Sequence, residues 1–305
     1  MEQSQRCILV LSHTAHADTR SACIEVSRQL RDAGVRPVLR ESERDDLVAD
    51  APDLAHVALL EVDVDLDSIE SAVVLGGDGT ILRAAELVRG STVPLIGVNL
   101  GHVGFLAELE RAGITDAVNK VLARAYTVEE RLTLSVRVKV AGDVVYETWA
   151  LNEATIEKAS RSRILDVVVE VDRRPLSQFS CDGVVLSTPT GSTAYAFSAG
   201  GPVVWPNVAA MVVVPISAHA LFTRPLVVSP DSVTAVEILA RGDSSGVLWC
   251  DGRRSFDLPA GARVVVKKAA QSVLLATVGE STFTDRLVSK FSLPVEGWRG
   301  PNARD

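Results

Sequence analysis

The first 125 residues alternate short, wholly apolar runs with segments in which apolar positions recur every three or four residues. CILVL (7–11) predicts a buried strand. Asp18 predicts the cap of a helix that runs to about Ala33, with Ile24, Val26 and Leu30 on the core face and Gly34 as the stop. VRPVL (35–39), HVALLEV (56–62), SAVVL (71–75) and VPLIGV (93–98) predict further strands, and residues 80–89 and 115–125 predict helices. The acidic stretch DVDLDSIE (63–70) is expected to be solvated loop. Strands apolar on both faces and joined by helices imply a parallel sheet covered on both sides, a Rossmann-like α/β domain.

After Tyr126 the period changes to two. LTLSVRVKV (132–140) alternates without a break, AGD turns the chain, and VVYETWA (144–150) returns it. ILDVVVEV, VVLST, MVVVPI, PLVVS, SVTAVEIL, GVLWC, ARVVVKK and SVLLATV carry this antiparallel pattern to about residue 278 and predict a β-sandwich. A helix over 284–291 follows. The expected organisation is an α/β domain over 1–126, a β-sandwich over 127–281, and a C-terminal segment, 282–305, that packs back on the first domain.

Composition narrows the function classes. A chain of 305 residues with 47% apolar content is long enough for one large or two ordinary domains. Net charge of −8 and the absence of a long basic run disfavour binding to nucleic acid or anionic membranes, so an anionic ligand must be held locally. The N-terminal apolar run is only Cys7–Leu11, too short for a signal-peptide core, and no stretch approaches a membrane span, so a soluble, cytoplasmic protein is expected. Cys7, Cys23, Cys181 and Cys250 form no CxxC pair and are expected to be reduced; no metal site is expected, and His13 and His16 read as loop residues.

The stretch VVLGGDGTILRAA (73–85) leads from a strand into a helix. Gly76, Gly77 and Gly79 permit positive φ and close approach of a ligand, and the helix start at Thr80 directs N–H groups and partial positive charge forward, which suits a phosphate. The stretch is neither a Walker A loop nor GxGxxG. Asp78 is the anomaly, a carboxylate inside a phosphate cradle. It is either a helix cap, a group that serves a hydroxyl, or a group that holds Mg²⁺, and Arg83, a turn on, can meet an anion. Phosphoryl transfer asks for a positioned hydroxyl, charge neutralisation and exclusion of water, so this residue mix favours a kinase acting on a hydroxyl.

STPTGSTAYAFSAGGPVV (187–204) is long, rich in hydroxyls and glycine, lacks GxSxG, and suits ribose, amide and phosphate contacts. Asn152 and Glu153 in LNEATIE offer an amide and a carboxylate to paired hydroxyls or an adenine amino group, although such a pair at a strand end also fits a plain turn. CDG (181–183) is weak alone, NLGHVGFLAE (99–108) fits a structural or a functional loop equally, and CDGRR (250–254) reads most simply as a hairpin turn.

Taken in order, GGDGT (76–80), NLGHVGFL (99–106), LNEA (151–154), CDG (181–183) and STPTGSTAYAFSAGGP (187–202) resemble the ATP-NAD kinase family over essentially the whole chain. The resemblance implies transfer of the γ-phosphoryl group of ATP, or of polyphosphate, to the 2′-hydroxyl of the adenosine ribose of NAD, with a divalent cation such as Mg²⁺, in a crevice between an α/β domain and a β-sandwich. It implies that Asp78 is the proton acceptor and that Gly76, Gly77, Gly79, Thr80 and Arg83 line the nucleotide site. It further implies that Asn152 and Glu153 grip adenosine, and that Arg163, Asp182, Thr190, Thr193, Ala194, Tyr195 and Ser198 surround the dinucleotide. Ser180 stands where many bacterial members carry arginine. A homodimer or homotetramer with NAD sites near subunit contacts is also implied. Two alternatives are a lipid kinase sharing the GGDG turn and a non-catalytic NAD-binding regulator.

Overall fold

A computed structural model describes residues 5–100, 104–106, 113–160, 162–240, 245–279 and 281–295. The chain divides into two compact units, residues 1–130 with 274–305, and residues 131–273.

The N-terminal part runs β1 (Cys7–Ser12), α1 (Ala17–Asp32), β2 (Arg36–Leu39), α2 (Glu41–Val48), β3 (Ala58–Leu59), β4 (Ser71–Leu75), α3 (Asp78–Leu87), β5 (Leu95–Val98), α4 (Ile114–Leu122) and β6 (Thr127–Arg131). The second unit holds β7 (Leu134–Val140), β8 (Asp143–Ala150), β9 (Glu153–Lys158), β10 (Leu165–Val171), β11 (Arg174–Cys181), β12 (Gly183–Ser187), the short helix α5 (Tyr195–Ser198), β13 (Met211–Ile216), β14 (Leu226–Val228), β15 (Thr234–Ile238), β16 (Gly246–Cys250), β17 (Arg254–Leu258) and β18 (Arg263–Lys268). The chain then returns through β19 (Val273–Thr277) and α6 (Phe283–Phe291).

In the first unit a seven-stranded sheet has the order β3-β2-β1-β4-β5-β19-β6, with β1 to β5 parallel. Ile8, Val10, Val73, Leu75, Ile96 and Val98 project from it against Ala22, Val26 and Leu30 of α1 and Ala117, Val118 and Val121 of α4. The second unit has two six-stranded antiparallel sheets, β11-β10-β15-β18-β7-β8 and β14-β13-β12-β9-β16-β17. Alternate residues such as Val136, Val167, Val236 and Val264 of one sheet meet Ile156, Val184, Leu186, Val213 and Leu248 of the other in one core, as a sandwich requires.

Four local expectations change. The cap of α1 is His16, with Asp18 in the first turn, where its charge favours the helix dipole; Gly34, at φ +77°, does end the helix. The helix expected from Thr80 begins two residues earlier, with Asp78 itself. The polar segment ESERDDLV forms α2, and Leu66–Ser68 within the expected acidic loop makes a 3₁₀ turn. SVLLATV, expected in the antiparallel half, supplies β19, which runs parallel to β5 in the first sheet. Its apolar run fits either sheet, and only non-local pairing decides. The C-terminal helix expected to return to the first domain does so through Phe283 and Phe291, whose rings lie 5.9 and 5.8 Å from that of Phe105.

Ile8 is fully buried in β1, between β2 and β4. Ile8→Ala is expected to lower unfolding stability by about 2–5 kcal/mol, read from the urea midpoint of the first unit's transition.

Candidate functional site

The site of the first unit is fixed by strand order. From β1 the chain moves outward to β2 and β3, then crosses to β4 on the other side of β1. The loops after β1 and β4 therefore leave in opposite directions, and the crevice outside the carboxyl ends of such strands is where open α/β sheets bind ligands. GGDGT follows β4 directly, at that point.

Only one of its three glycines is demanded by the fold. Gly76 has φ +149°, and a Cβ there would fall 2.5 Å from Thr80 Oγ1. Gly77 is extended (φ −80°) and Gly79 is helical, which corrects the expectation that all three supply positive φ. A Cβ on either would meet open space, so these two leave bare peptide in front of the first turn of α3, where the N–H groups have no intrahelical partners. That arrangement admits an anion to close range. Thr80 is half-buried and Arg83 is exposed.

Asp78 is half-buried, and its carboxylate is held by the segment expected to be either structural or functional. The Phe105 N–H donates to Oδ2 and the Leu106 N–H to Oδ1, each at 3.0 Å. A Cβ on Gly104 would lie 2.3 Å from Asp78 Oδ1, so glycine is required for the carboxylate to enter. Each oxygen retains a second acceptor direction. Residues 101–103, 107 and 108 of the NLGHVGFLAE stretch lie outside the described residues.

In the second unit LNEA and STPTG form a single construction. Thr188 N–H and Ser187 Oγ donate to the Asn152 carbonyl at 2.9 and 3.2 Å, and Thr188 Oγ1 donates to the Leu151 carbonyl at 2.6 Å. A Cβ on Gly191 would come within 2.1 Å of the same Asn152 oxygen. Thr190–Thr193 then makes a 3₁₀ turn, with Thr190 buried, Thr193 bonded to the Thr190 carbonyl, and the Ala194 N–H donating to Gly191 O. Ala196 of α5 packs on Val185, Val212 and Val214, on the sheet face opposite the main core. The register pairs Glu153 with Ser187 and Thr155 with Val185, so Glu153 and Thr155 share that outer face.

Tyr195 is exposed, with its backbone N–H facing the Glu153 carboxylate and its hydroxyl facing that of Glu157. Burial, and next the charge of Asp251, raise Glu153 to about 8; the Tyr195 N–H pulls the other way. Asp182 forms an ion pair with Lys158 at 2.5 Å. Asn152, Glu153 and Tyr195 thus come together; Ser198 is exposed on α5, and Arg163 is exposed in the turn after β9, its N–H on the Ser160 carbonyl. Ser180 donates to Asp166 across β10 and β11.

Asp251 escaped the sequence reading. Asp251-Gly252 is a hairpin turn with positive φ, as expected, yet the Asp251 side chain is almost wholly buried and reaches the backbone of Leu151–Glu153. A DG pair looks the same in sequence whether or not its carboxylate has a distant partner. Among the described residues no three His, Cys, Asp or Glu side chains cluster as metal ligands, and the rings of His13 and His16 lie 5.3 Å apart.

Comparison with known proteins shows the family. Residues 9–126 match the ATP-NAD kinase N-terminal domain and residues 151–278 the ATP-NAD kinase C-terminal domain. The chain belongs to the ATP-NAD kinase family. It is 64% identical over 302 residues to NAD kinase of Leifsonia xyli, covering 99% of each chain, and 55% identical over 297 residues to NAD kinase 2 of Streptomyces coelicolor, covering 97% of each. Its fold matches yeast NADH kinase complexed with NADH, with TM-score 0.86 and 22% identity over 96% of this chain and 89% of that one. It also matches an Archaeoglobus fulgidus NAD kinase in complex with ATP, with TM-score 0.70 and 24% identity over 95% and 100% of the two chains.

The raised Glu153 has a stability signature. Its folded value, about 8, exceeds the ordinary glutamate value, so folding favours the protonated form; this contribution is complete below about pH 4.5 and is lost as pH rises through about 8. Denaturant unfolding of the second unit is expected to show the parent chain losing stability over that window, by at most about 1.4 kcal/mol per pH unit from this group, and Glu153→Gln showing a flatter profile.

Proposed function

We propose that this chain transfers the γ-phosphoryl group of ATP to the 2′-hydroxyl of the adenosine ribose of NAD, giving NADP and ADP, with Asp78 as proton acceptor. The observation that carries the reading is a carboxylate fixed by two backbone N–H groups beside bare peptide at a helix N-terminus. A site for pyrophosphate alone gains nothing from negative charge there, whereas a hydroxyl that becomes a nucleophile needs an acceptor for its proton. Family membership supports the activity, and fold relatives solved with NADH and with ATP support both ligands.

In the reaction the O2′–phosphorus bond forms as the bond from phosphorus to the ADP oxygen breaks, and the hydroxyl proton passes to Asp78. The N–H groups of the first turn of α3 face the phosphates, with Gly77 and Gly79 leaving room for approach and Arg83 and Thr80 beside them. Asn152 and Glu153 hold adenosine, and Tyr195 with Asp182 borders the dinucleotide; Gly76, Thr190, Thr193 and Ala194 shape the backbone of the two turns. Arg163 and Ser198, both exposed, contact outlying parts of the ligand.

The described residues give a divalent cation no three-ligand cage, so the ion we expect is carried by ATP phosphates and water, neutralises part of their charge, and has no protein ligand assigned. Polyphosphate is an alternative donor with the same terminal chemistry. We place the protein in the cytoplasm, where the four free cysteines stay reduced, and expect a homodimer or homotetramer with NAD sites near subunit contacts. No described helix is long and apolar enough to cross a membrane.

Asp78→Asn is expected to lower kcat by about 10²–10⁴-fold with the KM for NAD little changed, in an assay that follows NADP; an unaltered kcat removes Asp78 as the base. Gly104→Ala, which touches no reacting atom but forces the Asp78 carboxylate aside, is expected to lower kcat in the same assay.

A further inference from the structure

We propose that Asp251, in the β16–β17 hairpin, is a positioning residue of the adenosine site: its carboxylate fixes the Leu151–Glu153 backbone and its charge sets the hydrogen-bonding character of Glu153. This rests on the reading that Asn152 and Glu153 hold adenosine. Asp251 Oδ2 accepts the Leu151 N–H at 3.0 Å, and Oδ1 accepts those of Asn152 at 2.7 Å and Glu153 at 3.4 Å. Its own N–H donates back to the Glu153 carbonyl at 3.0 Å. Arg254 Nη2 closes the set on Oδ2 at 2.6 Å, while its guanidinium lies 4.5 Å over the ring of Trp149, at the end of β8. The Asp251 side chain is 2% exposed, so these donors replace solvent completely, and the strand end that carries Asn152 cannot turn without breaking them.

Two buried carboxylates this close divide their roles. Burial raises Asp251 above the ordinary aspartate value, and three N–H groups and a guanidinium draw it back toward the charged form. Glu153 faces the charge of Asp251, the neutral Cys250 thiol, which burial pushes to about 12, and the Tyr195 phenol, itself raised by burial. One Glu153 oxygen, Oε2, is buried with no hydrogen-bond partner among the described residues. Glu153 therefore keeps its proton near neutral pH and offers a ligand one O–H donor and one acceptor beside the Asn152 amide, which suits the alternating donors and acceptors of adenosine better than a bare carboxylate does.

The test compares Asp251→Asn, Arg254→Ala and Asn152→Ala with the unaltered full-length chain, by steady-state kinetics with NAD and ATP from pH 6 to 9.5, with far-UV dichroism and melting to confirm folding. Asp251→Asn is expected to raise the KM for NAD about tenfold while kcat and the KM for ATP stay within about twofold. The NAD KM is expected to climb as Glu153 ionises, and the pH at which it does so is expected to be lower in Asp251→Asn than in the unaltered chain, because removing the Asp251 charge makes Glu153 easier to ionise. A role in folding alone would not move that limb. If Asp251→Asn does not fold, Arg254→Ala, which keeps all three backbone bonds, is expected to raise the NAD KM about threefold. A folded Asp251→Asn with unaltered NAD KM and unmoved pH limb, or an unaltered NAD KM in Arg254→Ala where that variant stands in, overturns the proposal provided that Asn152→Ala does weaken NAD. If Asn152→Ala leaves NAD unaffected as well, the adenosine-site reading itself falls.

Discussion

A carboxylate held by peptide N–H groups is the constraint on which the candidate site of each unit depends. Asp78 takes the N–H groups of Phe105 and Leu106, and Asp251 takes those of Leu151, Asn152 and Glu153. Such bonds orient an acid more tightly than water does, because the donors belong to a backbone that is itself packed. For Asp78 the packing is visible in the chain of contacts, in which Gly104 clears the space and Phe105 is clasped by Phe283 and Phe291 of the C-terminal helix. The last helix of the chain thus bears on the geometry of a residue more than 200 positions earlier.

The two acids are placed for different tasks. Asp78 is half-buried at the carboxyl edge of a parallel sheet, with an acceptor direction left on each oxygen. Asp251 is sealed beneath a strand end, with Arg254 balancing its charge and Trp149 covering the guanidinium. Its influence passes through the peptide it grips and through its field on Glu153. Glycines divide in the same way. Gly76, Gly104 and Gly191 are required by neighbouring atoms of the chain itself, whereas Gly77 and Gly79 face open space.

Much of this was legible in the residues. The change from α/β alternation to period two marks two architectures, and GGDGT, LNEA and STPTG stand out in the sequence by their glycines, hydroxyls and polar pairs. Pairing between distant segments was not legible. SVLLATV carries the same apolar signal as the sandwich strands, and nothing local says that it joins β5. ESERDDLV has too little apolar character to announce α2, whose Glu43 nonetheless reaches back to the Ser12 N–H and, through burial, rises to about 7. The work of Asp251 was hidden because its turn geometry is a sufficient local explanation of the DG pair.

The central claim is that a carboxylate in a phosphate cradle serves the hydroxyl that receives the phosphate. The most direct measurement is the position of that phosphate. The purified chain, given NAD, ATP and Mg²⁺, should yield a product that an NADP-specific dehydrogenase reduces and whose ³¹P spectrum shows a phosphomonoester on the 2′-carbon of the adenosine ribose. A product phosphorylated elsewhere, or unconsumed NAD with intact ATP, would contradict the account.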